Sequence, residues 1–199
     1  MGDAAAARWR ARATRALGDR NLVLVGFMGT GKSTVGRATA RVLGRPFADS
    51  DAETEARAGC TVAELFARLG EAGFRSLERA VVADLASRRG WVLATGGGAL
   101  ADPGSLEALR DHGVLLALSA RPEVILRRVG GAEAGSRRPL LAGPDTLGRI
   151  TSLLAERAPL YGQADLQLDT SGWGRGAAVE AVLRVVAERA AGVRREVDR

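Results

Sequence analysis

One eight-residue segment, Gly-Phe-Met-Gly-Thr-Gly-Lys-Ser at positions 26–33, constrains the fold more than any other part of this sequence. The apolar run 21–25 before it has the length of a buried strand, and residues 32–43 after it have helical spacing. A glycine-rich turn in this context is typical of loops that wrap backbone N–H groups around phosphate oxygens. We call residues 26–33 the phosphate loop and predict that it binds a nucleoside triphosphate.

Lys32 is the single lysine of the 199-residue chain, which otherwise uses 28 arginines. A compact ammonium fits beside phosphates where a planar guanidinium is too wide. We therefore predict that Lys32 is catalytic and contacts the terminal phosphates. The lack of a second lysine excludes Ras-type GTPases, whose guanine-binding motif requires one. The loop residues predicted to bind the same nucleotide are Gly29, Thr30, Gly31, Lys32, Ser33 and Thr34, with Ser33 Oγ also a ligand of Mg²⁺.

Strand-like and helix-like segments alternate along the rest of the chain. Further strands are predicted near 46–48, 91–94, 114–118 and 166–168, and helices over 60–88 (broken near 70–73), 103–111, 122–129, 146–158 and 176–191. Such alternation predicts an α/β fold in three layers, α/β/α, with a parallel sheet covered on both faces. Residues 130–145, rich in Gly, Arg and Pro, are predicted to form a mobile lid.

The composition limits the partners and the location that we expect. Cys60 is the only cysteine, so no internal disulfide can form, which is consistent with the cytoplasm. No apolar run reaches the roughly 18 residues of a membrane span, and residues 1–20 lack the apolar core of a secretory signal. We expect neither a membrane partner nor export.

The net charge of +6 lies mainly at the two ends of the chain. Residues 1–20 carry +3 and residues 184–199 carry +2, which leaves the middle nearly neutral. We therefore expect no nucleic-acid partner. Residues 1–20 are interpreted as a basic N-terminal extension, either a frayed helix or a disordered arm, and most simply a solvated one. A single domain is expected over 21–191, with a tail at 192–199.

The acceptor side is predicted from two carboxylates that follow the second strand, Asp49 and Asp51. The carboxyl ends of parallel strands face the crevice where ligands bind. One of the two would support Mg²⁺ and the other would accept a hydrogen bond from an acceptor hydroxyl; the alternative is that they cap a helix over 52–58. Asp51 is the leading candidate for the general base, because His112, the only histidine, falls in a helix–strand turn.

Two further segments carry binding chemistry. The run Gly96-Gly97-Gly98 at the end of the third strand would let a ligand touch bare backbone. Arg138, in the lid, is predicted to be catalytic by neutralising charge on the transferred phosphoryl group. Closure of the lid would also exclude water.

Taken together, these segments resemble the shikimate kinase family. The resemblance runs from about residue 21 to 187, and its most specific part is Gly70-Glu71-x-x-Phe74-Arg75-x-x-Glu78 followed by the triple glycine. The other matching segments are the phosphate loop, Asp49-x-Asp51, Leu65-Phe66-Ala67, Arg138-Pro139-Leu140-Leu141 and Arg157-x-x-Leu160-Tyr161.

The resemblance implies a P-loop kinase fold with five parallel strands, a substrate-binding region near 50–80 and the lid near 130–145. It implies phosphorylation of the 3-hydroxyl of shikimate by ATP with Mg²⁺, and we expect a monomer. Asp51 would bind the ring hydroxyls and take the proton, and Asp49 would hold the water shell of the metal. The other residues with implied roles are Arg75 and Arg157 as a carboxylate clamp, Gly97 and Gly98 along the ring, Arg138 on the γ-phosphate, and Arg128 and Arg175 on the nucleotide.

Several alternatives remain open from the sequence. Trp173 could stack on the adenine in place of a contact from Arg175. A gluconate kinase or a nucleoside monophosphate kinase is the main enzymatic rival, although those acceptors lack the geometry of a ring with a carboxylate. A non-catalytic regulatory or nucleic-acid-binding protein of the same fold is a third reading, which the presence of Lys32, Asp51 and Arg138 argues against.

Overall fold

A five-stranded, all-parallel sheet forms the centre of the molecule in the computed structural model, which describes residues 3–130, 139–141 and 144–197. The strand order is β2-β3-β1-β4-β5, so the phosphate loop leaves the central strand. This confirms the predicted α/β class and the parallel sheet. The strands are β1 (Asn21–Val25), β2 (Phe47–Asp49), β3 (Val92–Ala94), β4 (Gly113–Ser119) and β5 (Leu166–Asp169).

Helices connect the strands and cover the sheet. They are α1 (Asp3–Leu17), α2 (Lys32–Leu43), α3 (Ser50–Ala58), α4 (Val62–Ser87), α5 (Pro103–Asp111), α6 (Pro122–Val129), α7 (Thr146–Tyr161) and α8 (Arg175–Val197), with 3-10 turns at Ala99–Ala101 and Pro139–Leu141. Within α4 the helix is interrupted at Gly70, whose φ of 65° and ψ of −177° are not helical. This is the break expected near 70–73.

The side chains of β1 alternate between two apolar clusters on opposite faces of the sheet. Leu22 and Leu24 pack with residues of α1, α2 and α8, whereas Val23 and Val25 pack with residues of α4 and α5. Every residue of β1 is buried, as expected for a strand covered on both faces. These clusters give the three-layer arrangement.

The carboxyl ends of the central strands lie side by side. Leu24 of β1 is in register with Ala94 of β3, which is in register with Asp49 of β2. On the other side, Val25 pairs with Ala117 of β4. The loops that follow these strands therefore emerge at one edge of the sheet, where open α/β folds bind ligands.

The interpretation of residues 1–20 as a solvated extension is wrong. Helix α1 contributes Ala13 and Leu17 to the core cluster that contains α8, and they are 0% and 1% exposed. Trp9, half-buried, packs against the same cluster. These residues recur at four-residue spacing and form one apolar stripe, while the arginines of α1 lie on its exposed side. The high arginine content of residues 1–20 makes this apolar stripe hard to recognise from composition alone.

At the other end of the chain, α8 continues to Val197, beyond the residue 191 expected from the sequence. None of the helices in the described ranges is long and apolar enough to cross a membrane.

A substitution in α1 tests whether it belongs to the domain. We expect Leu17→Ala to lower the free energy of unfolding by about 2–4 kcal/mol, because it leaves a cavity in the core. The matched control is Leu69→Ala, at a leucine of α4 that is 54% exposed, with an expected change within about 0.5 kcal/mol. Urea denaturation measures both; equal, small effects would mean that α1 is not part of the cooperative unit.

Candidate nucleotide and acceptor site

A cleft of about 570 Å³ opens at the carboxyl edge of the sheet. It brings together the phosphate loop, both predicted carboxylates, Gly97 of the triple glycine and the segment that follows β5. The lining residues predicted from the sequence are Gly29, Thr30, Gly31, Lys32, Ser33, Thr34, Asp49, Asp51, Gly97, Arg128 and Arg175, and Trp173 lines the cleft with them.

The phosphate loop is held by the carbonyl oxygen of Phe27. This oxygen accepts hydrogen bonds from Lys32 Nζ at 2.9 Å and from Thr30 Oγ1 at 2.7 Å. Gly31, with a φ of 101°, is the residue from which α2 begins. Because a helix start carries unpaired N–H groups and the positive end of the dipole, this arrangement suits an anion.

Asp49 ends β2 and caps α3. Its Oδ1 accepts hydrogen bonds from the backbone N–H groups of Asp51, at 3.0 Å, and of Ala52, at 3.4 Å. Asp49 therefore caps the helix, which is the alternative role that the sequence left open. The cap does not exclude a second role, since a carboxylate has two oxygens and Asp49 also lines the cleft.

Asp51 is the second residue of α3, and it lines the cleft while the residue as a whole is solvent-exposed. The pKa of this carboxyl is raised from 3.8 to about 6, mainly because surrounding protein atoms desolvate it. The negative charges of Asp49 and Glu78 contribute to the rise, and the positive charge of Lys32 opposes it. Asp51 is thus a carboxylate at neutral pH that accepts a proton more readily than an ordinary aspartate.

The triple glycine lies against charged side chains from three helices. A Cβ built on Gly96 would come within 2.6 Å of Asp51 Oδ1. A Cβ on Gly98 would come within 2.6 Å of Arg75 Nη1, and one on Gly97 within 3.5 Å of Arg157 Nη1. The two predicted arginines therefore reach the same backbone strip from α4 and α7.

Arg75 is fixed by two glutamates of its own helix. Its Nη1 donates to Glu78 Oε2 at 2.6 Å, and its Nη2 donates to Glu71 Oε1 at 3.3 Å. The side chain of Glu78 is only 5% exposed. A buried carboxylate paired in this way holds a guanidinium in one orientation. Sequence reasoning gave Glu78 no role, although its position three residues after Arg75 is the spacing at which helical side chains meet.

Arg157 is held by the triple glycine and by the phosphate loop. Its Nη1 donates to the carbonyl oxygen of Gly97 at 3.2 Å, and its guanidinium carbon lies 5.7 Å from the centre of the Phe27 ring. Tyr161, one helical turn on, donates its hydroxyl to the same Gly97 carbonyl at 2.7 Å. Burial raises the pKa of the Tyr161 phenol, so it remains a donor. Tyr161 too had no role in the sequence analysis.

The segment after β5 forms the end of the cleft opposite the acceptor side. Trp173 is 37% exposed and lines this end together with Arg175, so both alternatives for the base contact lie there. Arg128, from α6, donates to the carbonyl oxygens of Gly29 at 3.3 Å and of Thr170 at 2.8 Å. It joins the phosphate loop to this segment.

Three of the predicted site residues, Arg75, Gly98 and Arg157, do not line the cleft itself. Arg138 falls outside the described residues. His112 lies in the turn between α5 and β4, at the opposite edge of the sheet, where Arg89 Nη2 approaches its Nε2 to 2.9 Å.

No dedicated metal cage is present among the described residues, since they contain no cluster of three or more His, Cys, Asp or Glu side chains able to hold an ion. A magnesium ion bound through phosphates needs only one or two protein oxygens. Ser33 and Asp49, which both line the cleft, carry oxygens of that kind.

Comparison with known proteins agrees with this geometry. The family model described as "Shikimate kinase" matches residues 28–187. A shikimate kinase of Symbiobacterium thermophilum is 52% identical over 144 residues, which cover 72% of this chain and 82% of that protein.

Solved structures give the same result. A structure described as shikimate kinase from Acinetobacter baumannii in complex with shikimate superposes with a TM-score of 0.82 and 35% identity, over 89% of this chain and 98% of that one. A gluconokinase of Sinorhizobium meliloti shares the fold at 19% identity and a TM-score of 0.57, over 89% of this chain and 97% of that one. The chain therefore belongs to the shikimate kinase family.

Proposed function

We propose that this protein transfers the γ-phosphate of ATP to the 3-hydroxyl of shikimate, giving shikimate 3-phosphate and ADP on the route to chorismate. The observation that carries the proposal is the cleft itself. It places Asp51 beside the phosphate loop, with Arg75 and Arg157 on the adjoining strip of glycines. A small ring that bears hydroxyls and one carboxylate has the groups that these side chains recognise.

The nucleotide phosphates would lie along residues 29–34, where backbone N–H groups and the start of α2 provide positive potential. Lys32 Nζ, now donating to the Phe27 carbonyl, would turn to the β- and γ-phosphates. The base would lie at the end lined by Trp173 and Arg175, with Arg128 between base and phosphates.

Ser33 Oγ and a carboxylate oxygen of Asp49, the latter through water, would hold Mg²⁺ together with the phosphates. Hydroxyl and carboxylate oxygens fit this ion because it prefers hard oxygen ligands and retains several waters. When bound, Mg²⁺ supplies neutralisation of the charge that develops on the phosphates.

Asp51 would accept a hydrogen bond from the 3-hydroxyl and take its proton as the oxygen attacks the γ-phosphorus. Its raised pKa suits this role, because a base is most effective when its pKa approaches the working pH. Phosphoryl transfer depends mainly on positioning and charge neutralisation, so a carboxylate is a sufficient base.

Arg75 and Arg157 would bind the carboxylate of the acceptor from two directions. Glu78 holds Arg75, and the Gly97 carbonyl holds Arg157, so each guanidinium is oriented before the acceptor arrives. Preorganised donors lose little conformational entropy on binding. Arg138 would reach the γ-phosphate from the lid. We further propose that the protein acts in the cytoplasm as a monomer.

The choice of acceptor is the direct test. An ADP-release assay with shikimate, gluconate and AMP as acceptors, in the presence of MgATP, should give turnover with shikimate at least 100-fold above the other two. The reason is that only shikimate combines a ring hydroxyl for Asp51 with a carboxylate for the paired arginines. Equal rates, or no shikimate-dependent turnover, would overturn the proposal.

The raised pKa of Asp51 predicts a pH-dependent gain in stability for Asp51→Asn. The folded protein binds the Asp51 proton more tightly than the unfolded chain does, so wild-type stability falls as pH rises from about 4 through about 6. The asparagine variant does not undergo this loss. We expect its advantage to grow from near zero at pH 4 to on the order of 1 kcal/mol at pH 8, or about 3 °C, after allowance for screening by solvent in the cleft.

Thermal unfolding in EDTA without nucleotide measures this difference. Asp84→Asn is a control of opposite sign, because hydrogen bonds from Arg57 and Arg88 lower the pKa of Asp84. That substitution should destabilise the protein at pH 8 and have little effect at low pH. If Asp51→Asn also destabilised the protein at pH 8, then desolvation and the charge of Asp49 would not disfavour the ionised Asp51 carboxylate, contrary to this assignment.

Arg75→Ala should raise the KM for shikimate about 30- to 100-fold and leave the KM for ATP within about twofold, because the lost contact is to the acceptor carboxylate. The control on the same helix is Arg79→Ala: the side chain of Arg79 is 59% exposed and pairs with Asp102, and neither residue lines the cleft. Steady-state kinetics with each substrate varied in turn gives both constants. Similar rises in both KM values would indicate a structural role for Arg75 instead.

A further inference from the structure

Thr170, the residue after β5, connects four parts of the cleft although it is only 2% exposed. Its hydroxyl oxygen lies 2.9 Å from the carbonyl oxygen of Thr30, 3.0 Å from that of Ser119 and 3.0 Å from Arg128 Nη1. Its backbone N–H donates to the Ser119 carbonyl at 2.9 Å. The phosphate loop, the end of β4, helix α6 and the segment after β5 therefore meet at one side chain.

The single proton of this hydroxyl is best assigned to the Thr30 carbonyl. The Ser119 carbonyl already accepts the backbone N–H of Thr170, and the contact to Thr30 is the shorter of the two. The hydroxyl oxygen in turn accepts a hydrogen bond from Arg128. The hydroxyl thereby uses its one donor proton and one of its two acceptor lone pairs.

The bond to Thr30 fixes the direction of one peptide group in the phosphate loop. In a planar trans peptide the C=O and the following N–H point in opposite directions. When Thr170 holds the Thr30 carbonyl on the side of β5, the N–H of Gly31 is directed the other way. Gly31 lines the cleft and is the residue from which α2 begins, so this N–H is one of the donors available to a phosphate.

We propose that Thr170 is a positioning residue of the nucleotide site, which orients the Thr30–Gly31 peptide so that the Gly31 N–H faces the phosphates. The inference rests on the proposed function and gives a role to Thr170, a residue at the edge of the cleft that acts through the phosphate loop. Arg128 supports the same arrangement, because it binds the Thr170 carbonyl at 2.8 Å and the Gly29 carbonyl at 3.3 Å.

The position of Thr170 also connects the two ends of the nucleotide. Its carbonyl accepts the backbone N–H of Trp173 at 3.3 Å, which closes the turn that carries Trp173 and Arg175 into the cleft. Thr170 therefore begins the segment that carries Trp173 and Arg175, and it also orients the Gly31 N–H at the phosphate end of the cleft. Loss of the hydroxyl should therefore affect nucleotides and spare the acceptor.

The test is Thr170→Val, which keeps the shape of the side chain and removes the hydroxyl. We expect the KM for ATP and the Kd for ADP to rise about tenfold, and the KM for shikimate to stay within about twofold. Thr170→Ser, which keeps the hydroxyl, should return the nucleotide constants to within about threefold of wild type. Thr170→Ala removes the hydroxyl without placing a methyl group against the carbonyls, and should give the same split if the valine variant folds poorly.

The matched control is Thr39→Val in α2. Thr39 is 0% exposed and its hydroxyl has no hydrogen-bond partner in the described structure, so the same chemical change should leave both nucleotide constants unaltered. Three outcomes would overturn the inference: unchanged ADP affinity in both Thr170→Val and Thr170→Ala, equal rises in the shikimate and ATP constants, or no recovery in Thr170→Ser. Binding of ADP by calorimetry needs no acceptor, so it decides the role of Thr170 even if shikimate is not the substrate.

Discussion

The site depends on how closely the chain approaches itself at Gly26, where β1 turns into the phosphate loop. A Cβ at this position would lie 2.2 Å from the carbonyl oxygen of Leu118 in β4, and the φ of 133° is one that other residues rarely adopt. The first residue of the loop is thus packed against the backbone of the neighbouring strand. Because the loop starts at a point fixed by the sheet, Thr30 and Lys32 can both converge on the single carbonyl of Phe27.

The proposed acceptor side also depends on glycines, but here the lack of side chains leaves room for charged groups. At the end of β3, three consecutive glycines leave space that charged groups from α3, α4 and α7 occupy. A Cβ on Gly96 would collide with the carboxylates of Asp51 and Glu78, and one on Gly98 with the guanidinium of Arg75. The three glycines therefore allow acidic and basic side chains from separate helices to lie close together. The pKa of Asp51 rises there mainly through desolvation, and the negative charges of Asp49 and Glu78 add to the rise, which Lys32 opposes.

The sequence predicted those parts of the site whose chemistry is local. Lys32 follows from a contiguous motif, and Asp51 from a strand followed directly by carboxylates. Arg75 and Arg157 lie 82 positions apart on separate helices, and only the family resemblance singled them out among 28 arginines. Thr170 gave no signal, because a threonine at a strand end is common and its role depends on a carbonyl 140 residues away. Leu17 was missed because arginines dominated the composition of α1, whereas burial is decided by periodicity.

Phe27 links the two halves of the site physically. Its carbonyl holds the phosphate-loop lysine, while its ring, 1% exposed, lies beneath the guanidinium of Arg157 from α7. Arg157 in turn donates to the Gly97 carbonyl, which Tyr161 also binds. A displacement of the phosphate loop would therefore move the ring against which Arg157, the proposed acceptor-binding arginine, lies. Since transfer requires the attacking oxygen and the γ-phosphorus to be aligned within a fraction of an ångström, a shared buried residue is a direct way to keep the two subsites in register.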